Sequence, residues 1–458
     1  MTKNESTTYL FEQMPIPGAV AKLAVPMVIT NLVTIVYNLA DTFFVGMLND
    51  PVQNAAVTLV YPVILAFYAV TNLFGIGTSS MMSRSLGRKD YERTRNCSVF
   101  GFYGAFFCAA ALALLCTIFK TPLLGMMGAD SGTTEAASAY LLWTVSCGAV
   151  PAILNVVQGT MIRSEGASLH AGIGTMSGCI LNIILDPIFI LPWGLGLGAA
   201  GAGLATFLSN CFATCYFLVL TRIKRGKTFV SLDIRRLKYL NREVVLGILG
   251  VGVPASIQNL LNVTGSTILN NFTAVYGAAA VAAMGIGQKL HSIPMQMVFG
   301  FTQGIMPLVS YNYASGNRQR MKKTIIFGLG LVIPVMTTVT LCFWIFSPQL
   351  IRLFMDNEEI MLYGPRLLRG LCLSLLLLSI DFTAVGVFQA LGRGRYALEF
   401  AVMRKLLLEI PLLYILNAVL PLYGLAYAQT GAELVLAAAA LIMLRRILRE
   451  KPDPLKTE

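Results

Sequence analysis

The chain has 458 residues, 56% of them hydrophobic and only 12% charged, and a net charge of +12. A soluble domain carries about 25% charged residues, so a soluble globular enzyme is excluded. The positive charge is not a nucleic-acid footprint either, because Lys and Arg fall in short loops between apolar runs, as topology signals do.

A hydrocarbon core of ~30 Å takes roughly 20 residues of helix. Uncharged stretches of at least that length cover 97–119, 136–162 and 244–288. Alternating strand patterns are absent, which argues against a transmembrane barrel. The sequence therefore predicts an all-α polytopic membrane protein of about twelve transmembrane helices. They are placed at 20–46, 55–80, 97–119, 137–161, 168–191, 199–221, 244–273, 279–306, 324–347, 367–391, 400–420 and 423–444. The start of the chain is polar, and no cleavable signal is expected. The nine Cys lie in or beside spans and read as small buried apolar residues.

In chain order, the first span carries Pro26 and then Asn31, Thr34, Asn38 and Asp41, spaced three to four residues apart and so on one helix face. The loop after span two is basic, with Arg84, Arg88, Lys89, Arg93 and Arg95. Spans four, five and six add Asn155 and Gln158, then Asn182 and Asp186, then Thr206 and Asn210. Ionisable groups inside spans are costly and mark function. Asp41 and Asp186 both fall in the outer half of their spans. With Asn182, Asn155 and Thr206 they make a pocket able to trade a proton or Na⁺, the two carboxylates being metal ligands only in the Na⁺ case.

A basic segment at 222–243 then separates an N-lobe (1–221) from a C-lobe (244–458) of six helices each. Pro26 to Asn31 repeats as Pro254 to Asn259, at an offset of 228, and Asn31, Thr34 and Asn38 fall on Asn259, Asn262 and Ser266. Ser83–Lys89 lines up with Asn312–Arg318 at 229, and Gln158 resembles Gln389. Six spans per half relate the lobes by an axis along the membrane normal. The repeat partner of Asp41 is Leu269, so a second acidic site is doubtful. Lys289 on span eight is expected to neutralise Asp381 on span ten. Glu409 is expected to pair with Lys405 one turn away. Glu433 either pairs with Lys289 or attracts a cation, and His291 is packing or relay. The inner faces offer Asn38, Gln158, Asn259, Asn262, Asp381, Lys289 and Met295 as substrate contacts, Met because its thioether adapts to varied shapes. By the positive-inside rule both termini are cytoplasmic, in a multi-pass protein of the plasma membrane.

Asn38-Leu-Ala-Asp41-Thr-Phe-Phe-Val-Gly46 resembles the first-helix motif of multidrug and toxic compound extrusion (MATE) transporters. Arg163-Ser-Glu-Gly166, Leu185-Asp186-Pro187, Gly201–Thr206, Gln303–Pro307, Tyr311–Gly316 and Gln389–Gly392 also match, over about the whole chain. The resemblance implies two six-helix lobes and secondary active efflux of amphipathic, cationic small molecules in exchange for H⁺ or Na⁺. Its cation site would be Asp41, Asn182, Asp186 and Thr206, with Asn155. No cofactor beyond the coupling ion, no nucleic acid and a monomer in the lipid bilayer are expected. A major facilitator-type carrier and a lipid-linked precursor flippase are the rival transporters. A membrane enzyme is disfavoured by the two His and the lack of a Ser/His/Asp or metal-ligand constellation.

Overall fold

The computed structural model describes residues 7–130, 132–355 and 357–449. In chain order the helices of span length are α1 (Ile16–Gly46), α2 (Pro51–Gly87), α3 (Tyr91–Ile118), α4 (Thr134–Cys147 and Ala149–Ser164, meeting at 45°), α5 (Ser168–Ile190) and α6 (Ala199–Ile223). The second set is α7 (Arg242–Ala274), α8 (Ala278–Ala314), α9 (Arg318–Ile345), α10 (Glu358–Ala390), α11 (Gly394–Val402, Met403–Glu409 and Ile410–Val419) and α12 (Tyr423–Arg449). Among the described residues there is no strand. Among the described residues eight helices are long and apolar enough to cross a membrane, nine with the bent pair of α4. The rest, α8, α11 and α12, have the length but enclose Lys, Arg, Glu and His, which lowers their hydropathy.

The repeat is visible in the turns, and it corrects the register read from the sequence. Lys89 and Gly316 both adopt left-handed backbone, at φ 61° and 79°. Each is followed by a residue whose side chain caps the next helix: Asp90 accepts from the Arg93 N–H at 2.9 Å, and Asn317 from the Arg320 N–H at 3.1 Å. The two helix starts therefore correspond at an offset of 227 rather than 229, because the sequence match aligned Gly with Gly while the backbone aligns Lys89 with Gly316. Gly166 and Gly392 form a second pair of left-handed turn residues, at φ 89° and 77°. In that frame Gln389 corresponds to Arg163, not to Gln158: the N–H of Gly166 donates to the Arg163 carbonyl, and that of Gly392 to Gln389.

The chain forms two compact units. One holds residues 7–10 and Ile29–Ser256; the other holds Phe11–Val28 and 257–449. The partition differs from the lobes read as 1–221 and 244–458. It cuts α1 after Val28 and α7 after Ser256, at positions related by the 228 offset, each two residues past the repeated proline. Proline removes a helical N–H and crowds the preceding turn, so both helices are weakest just there.

In the first unit, residues 228–236 are bound rather than a free linker. Glu165 accepts from the Thr228 hydroxyl at 2.9 Å and the Phe229 N–H at 2.8 Å. Tyr91 stacks on Phe229, the Tyr103 hydroxyl donates to the Leu232 carbonyl, and Arg236 pairs with Glu92. The first half of α7 follows: Glu243 pairs with Arg93, and the Ser256 hydroxyl donates to the Ala69 carbonyl at 2.6 Å. In the second unit, Phe11 stacks on Tyr311, whose hydroxyl donates to Glu12, while Arg320 donates to the carbonyls of Phe11 and Met14. The core of that unit gathers Ala280, Met284, Leu371, Cys372, Leu375 and Leu425, with Leu269 packed against it. An apolar residue fits there, where the first unit carries Asp41.

Candidate cation-coupling site

Asp186 lies on α5, where small residues bring α5 and α6 together. A Cβ at Gly174 would lie 2.3 Å from the Phe217 ring, and one at Gly178 3.2 Å from the Ser209 carbonyl. This close approach sets Asn182 and Asp186, one and two turns further along α5, against α6. The Asn182 amide bridges the two helices: its Nδ2 donates to Asp186 Oδ2 at 2.8 Å and its Oδ1 accepts from the Thr206 N–H at 3.1 Å.

Asp186 is fully buried and Asn182 nearly so. Asp41, on α1, is half-buried, with Oδ1 enclosed and unbonded. The two carboxylates feel each other electrostatically. Among the described residues no Lys, Arg or His forms an ion pair with either acid. Two tyrosines complete the surroundings: the Tyr37 hydroxyl is hydrogen-bonded to Thr206 beside Asp41, and Tyr140 on α4 lies within electrostatic reach of both acids. Sequence reasoning passed over both. The signal for Tyr37 was present, since it precedes Asp41 by four residues and so shares its face. Nothing in the spacing marked Tyr140, which reaches the site only through the packing of α4.

Asp41, Asn182, Asp186 and Thr206 are thus brought together in one unit. Asn155 is buried nearby on α4, but its amide donates to Asn210 Oδ1 at 3.2 Å rather than to either acid. Gln158 is buried with neither amide atom bonded, and Asn38 is exposed. In the second unit Asn259, Asn262 and Met295 are half-buried, and Asn259 Oδ1 is enclosed without a partner.

The pairing expected for Asp381 is not the one found. Lys289 is exposed, whereas Asp381 is fully buried in contact with the guanidinium of Arg404. Glu433, also fully buried, faces the same guanidinium, its Oε1 3.0 Å from Arg404 Nε. Lys405 and Glu409 do pair, at 2.7 Å. The spacing of charges along one chain cannot show which helix supplies a partner. The span edge placed at 400 also set Arg404 at the mouth of the helix, whereas α11 begins at Gly394 and carries it ~15 Å inward. His291 bonds Ser374 at 3.0 Å and is buried.

Two sets of six long helices, most of them apolar enough to cross a membrane and with acids buried in their interiors, make a multi-pass membrane transporter and not an enzyme. The chain belongs to the MatE family, whose profile matches residues 26–188 and again 254–415, once in each half. It is 31% identical to the multidrug export protein MepA of Staphylococcus aureus over 446 residues, covering 97% of this chain and 96% of that one. It is 32% identical to the MepA of Staphylococcus saprophyticus over 444 residues, with the same shares covered. Among solved structures, an outward-facing multidrug resistance MATE family transporter of the MOP superfamily superposes with a TM-score of 0.88 at 27% identity, over 96% of this chain and 97% of that one. A MOP superfamily transporter from Pyrococcus furiosus, for which reverse polarity of the binding pocket suggests a different function, superposes with a TM-score of 0.87 at 26% identity, covering 96% and 97%.

Proposed function

We propose that the chain is a secondary active multidrug exporter that expels amphipathic cations in exchange for H⁺, with Asp41 and Asp186 as the coupling pair. The observation that carries this reading is a pair of neighbouring carboxylates, one fully buried, with no cationic side chain among the described residues paired to either. Such a pair cannot easily ionise twice in a poorly solvated site, so it exchanges positive charge with its surroundings. A proton arriving on Asp186 turns a charged acceptor into a neutral one and so weakens its hold on Asn182 Nδ2, loosening the tie that runs through Asn182 to the Thr206 N–H. Bound drug and bound proton thereby compete for one charge, which is the condition for antiport by alternating access. The MepA relatives are multidrug export proteins. For the Pyrococcus furiosus neighbour, reverse polarity of the binding pocket suggests a different function, which agrees with an argument from charge. Na⁺ is the second reading, since the oxygens of Asp41, Asp186, Asn182 and Thr206 are hard donors of the kind it takes.

The test is drug exchange in proteoliposomes under an imposed pH or Na⁺ gradient. Ethidium-like dyes should be driven by the pH gradient, and Asp41→Asn and Asp186→Asn should each abolish coupled exchange while leaving insertion intact. Full coupling in both variants would move the site elsewhere; drive by a Na⁺ gradient alone would replace H⁺ with Na⁺. Transport of anions or sugars only would overturn the reading of the cargo.

A further inference from the structure

Lys289 of the second unit is a cation deep within a span. It stands eleven residues after Ala278, where α8 begins, about 16 Å along the helix axis at 1.5 Å per residue. That is close to half the thickness of a ~30 Å hydrocarbon core. Its side chain is nevertheless exposed. A lysine at that depth cannot reach the membrane edge along its own stem, and turned toward lipid it would be strongly disfavoured. Among the described residues no ion pair reaches it, because the acids buried in these spans have partners of their own. Asp381 and Glu433 face Arg404, and Glu409 closes on Lys405.

The neighbours of Lys289 decide what it faces. Ser292 and Gln296 follow three and then four residues later, so they share its side of α8, and both are half-buried. One turn before it, a Cβ on Gly285 would meet nothing within 4 Å, so the surface there is open. On α7, Asn262, Ser266 and Asn270 recur every four residues and are exposed or half-buried. The two stripes are joined, since Gln288 Nε2 donates to Asn270 Oδ1 at 2.9 Å. Lipid can satisfy none of these groups, so the α7–α8 strip lines a water-filled space. At that depth no lipid headgroup arrives to answer the ammonium. A charge left alone on such a wall attracts an opposite charge on whatever enters and repels a like one.

We propose that Lys289 is a specificity-determining residue that reads a carboxylate on the cargo, so that the preferred substrates are amphipathic zwitterions rather than simple cations. Such a molecule carries an aromatic body, a protonated amine and a carboxylate. The carboxylate takes a charge-assisted hydrogen bond from the Lys289 ammonium, which offers three donors on a flexible stem. The amine still serves the exchange of charge proposed for Asp41 and Asp186. The assignment deepens that reading of the chain as a drug exporter and rests on it.

Two dyes that differ by this one charge test it: a rhodamine with a free carboxylate and the same rhodamine as its methyl ester. Binding of each to the full chain in lipid nanodiscs is read at neutral pH by fluorescence anisotropy. Lys289→Gln should weaken the free acid by roughly ten- to a hundred-fold relative to the ester, the worth of one hydrogen bond to a charged group. Lys289→Arg should keep the parent ratio of the two dissociation constants, and Lys289→Glu should move it furthest toward the ester. Ester binding also reports that each variant is folded. A ratio that Lys289→Gln leaves unmoved, whether both dyes weaken together or neither does, would overturn the assignment. If a pH gradient still drove the ester in proteoliposomes of the parent chain, the exporter reading would survive that result. A parent chain that bound neither dye would overturn both.

Discussion

Asp186 and Asp381 are both fully buried carboxylates, yet their surroundings differ in kind. Asp186 has an amide donor and a second acid; Asp381 has a guanidinium. A charged group accepting a hydrogen bond gains ~1.5–3 kcal/mol from it. Asn182→Ala, which removes the donor from Asp186, should therefore slow coupled drug exchange by roughly ten- to a hundred-fold. Tyr37→Phe deletes one neutral hydrogen bond to Thr206, at about 1 kcal/mol, and should slow exchange only about five-fold. Initial rates of dye uptake into inverted vesicles at equal protein level check both; a larger loss in Tyr37→Phe than in Asn182→Ala would mean that the tyrosine, not the amide, carries the coupling. The four clustered residues Asp41, Asn182, Asp186 and Thr206 were legible in the sequence because each is polar within an apolar span. Tyr140 and Arg404 were not: an aromatic near a span end and a cation near a misjudged helix start both pass as ordinary.

At the level of elements, the segment before α7 shows how a loop residue can govern a helix. Glu165 sits in the turn after α4, is 5% exposed, and takes two donors from residues 228 and 229. Read from sequence, 222–243 was a basic connector defined by its charge, because side-chain capture of a backbone N–H leaves no compositional trace. Its removal should loosen the segment without touching the acid pair. Losing a buried carboxylate acceptor is worth about 2 kcal/mol of local opening, which is roughly thirty-fold in the open population. Glu165→Ala should therefore be cut by trypsin at the exposed Lys227 about thirty times faster than the parent chain under limiting protease. Gln at the same position keeps one acceptor and should fall between. Equal cleavage rates in all three chains would show that Tyr103, together with the Ser98 hydroxyl that accepts from the Ser231 N–H at 2.9 Å, holds the segment without Glu165.

For the whole molecule, the doubling of the chain was the most legible feature, since Pro26 and Pro254 carry it in the sequence and the family match begins at those same two residues. What the repeat could not give was the partition of the packed chain, in which α1 and α7 are each divided just beyond their prolines. Hydrophobic pattern marks where a helix lies in the membrane but not which helices it packs against. Orientation follows from a different signal. The turns at 47–50, 191–198, 275–277 and 420–422 contain no Lys or Arg, whereas 222–242 holds eight. Insertion retains such clusters in the cytoplasm, so 222–242 and every turn on its side should face inward. Single cysteines in a chain whose native cysteines have been replaced would read this out. Lys227 and Leu195 are both exposed and belong to turns separated by the length of α6. In intact cells an impermeant maleimide should label Leu195→Cys and leave Lys227→Cys untouched until the membrane is permeabilised. The reverse pattern would turn the protein over, and with it the side from which the proposed pair of Asp41 and Asp186 would take a proton.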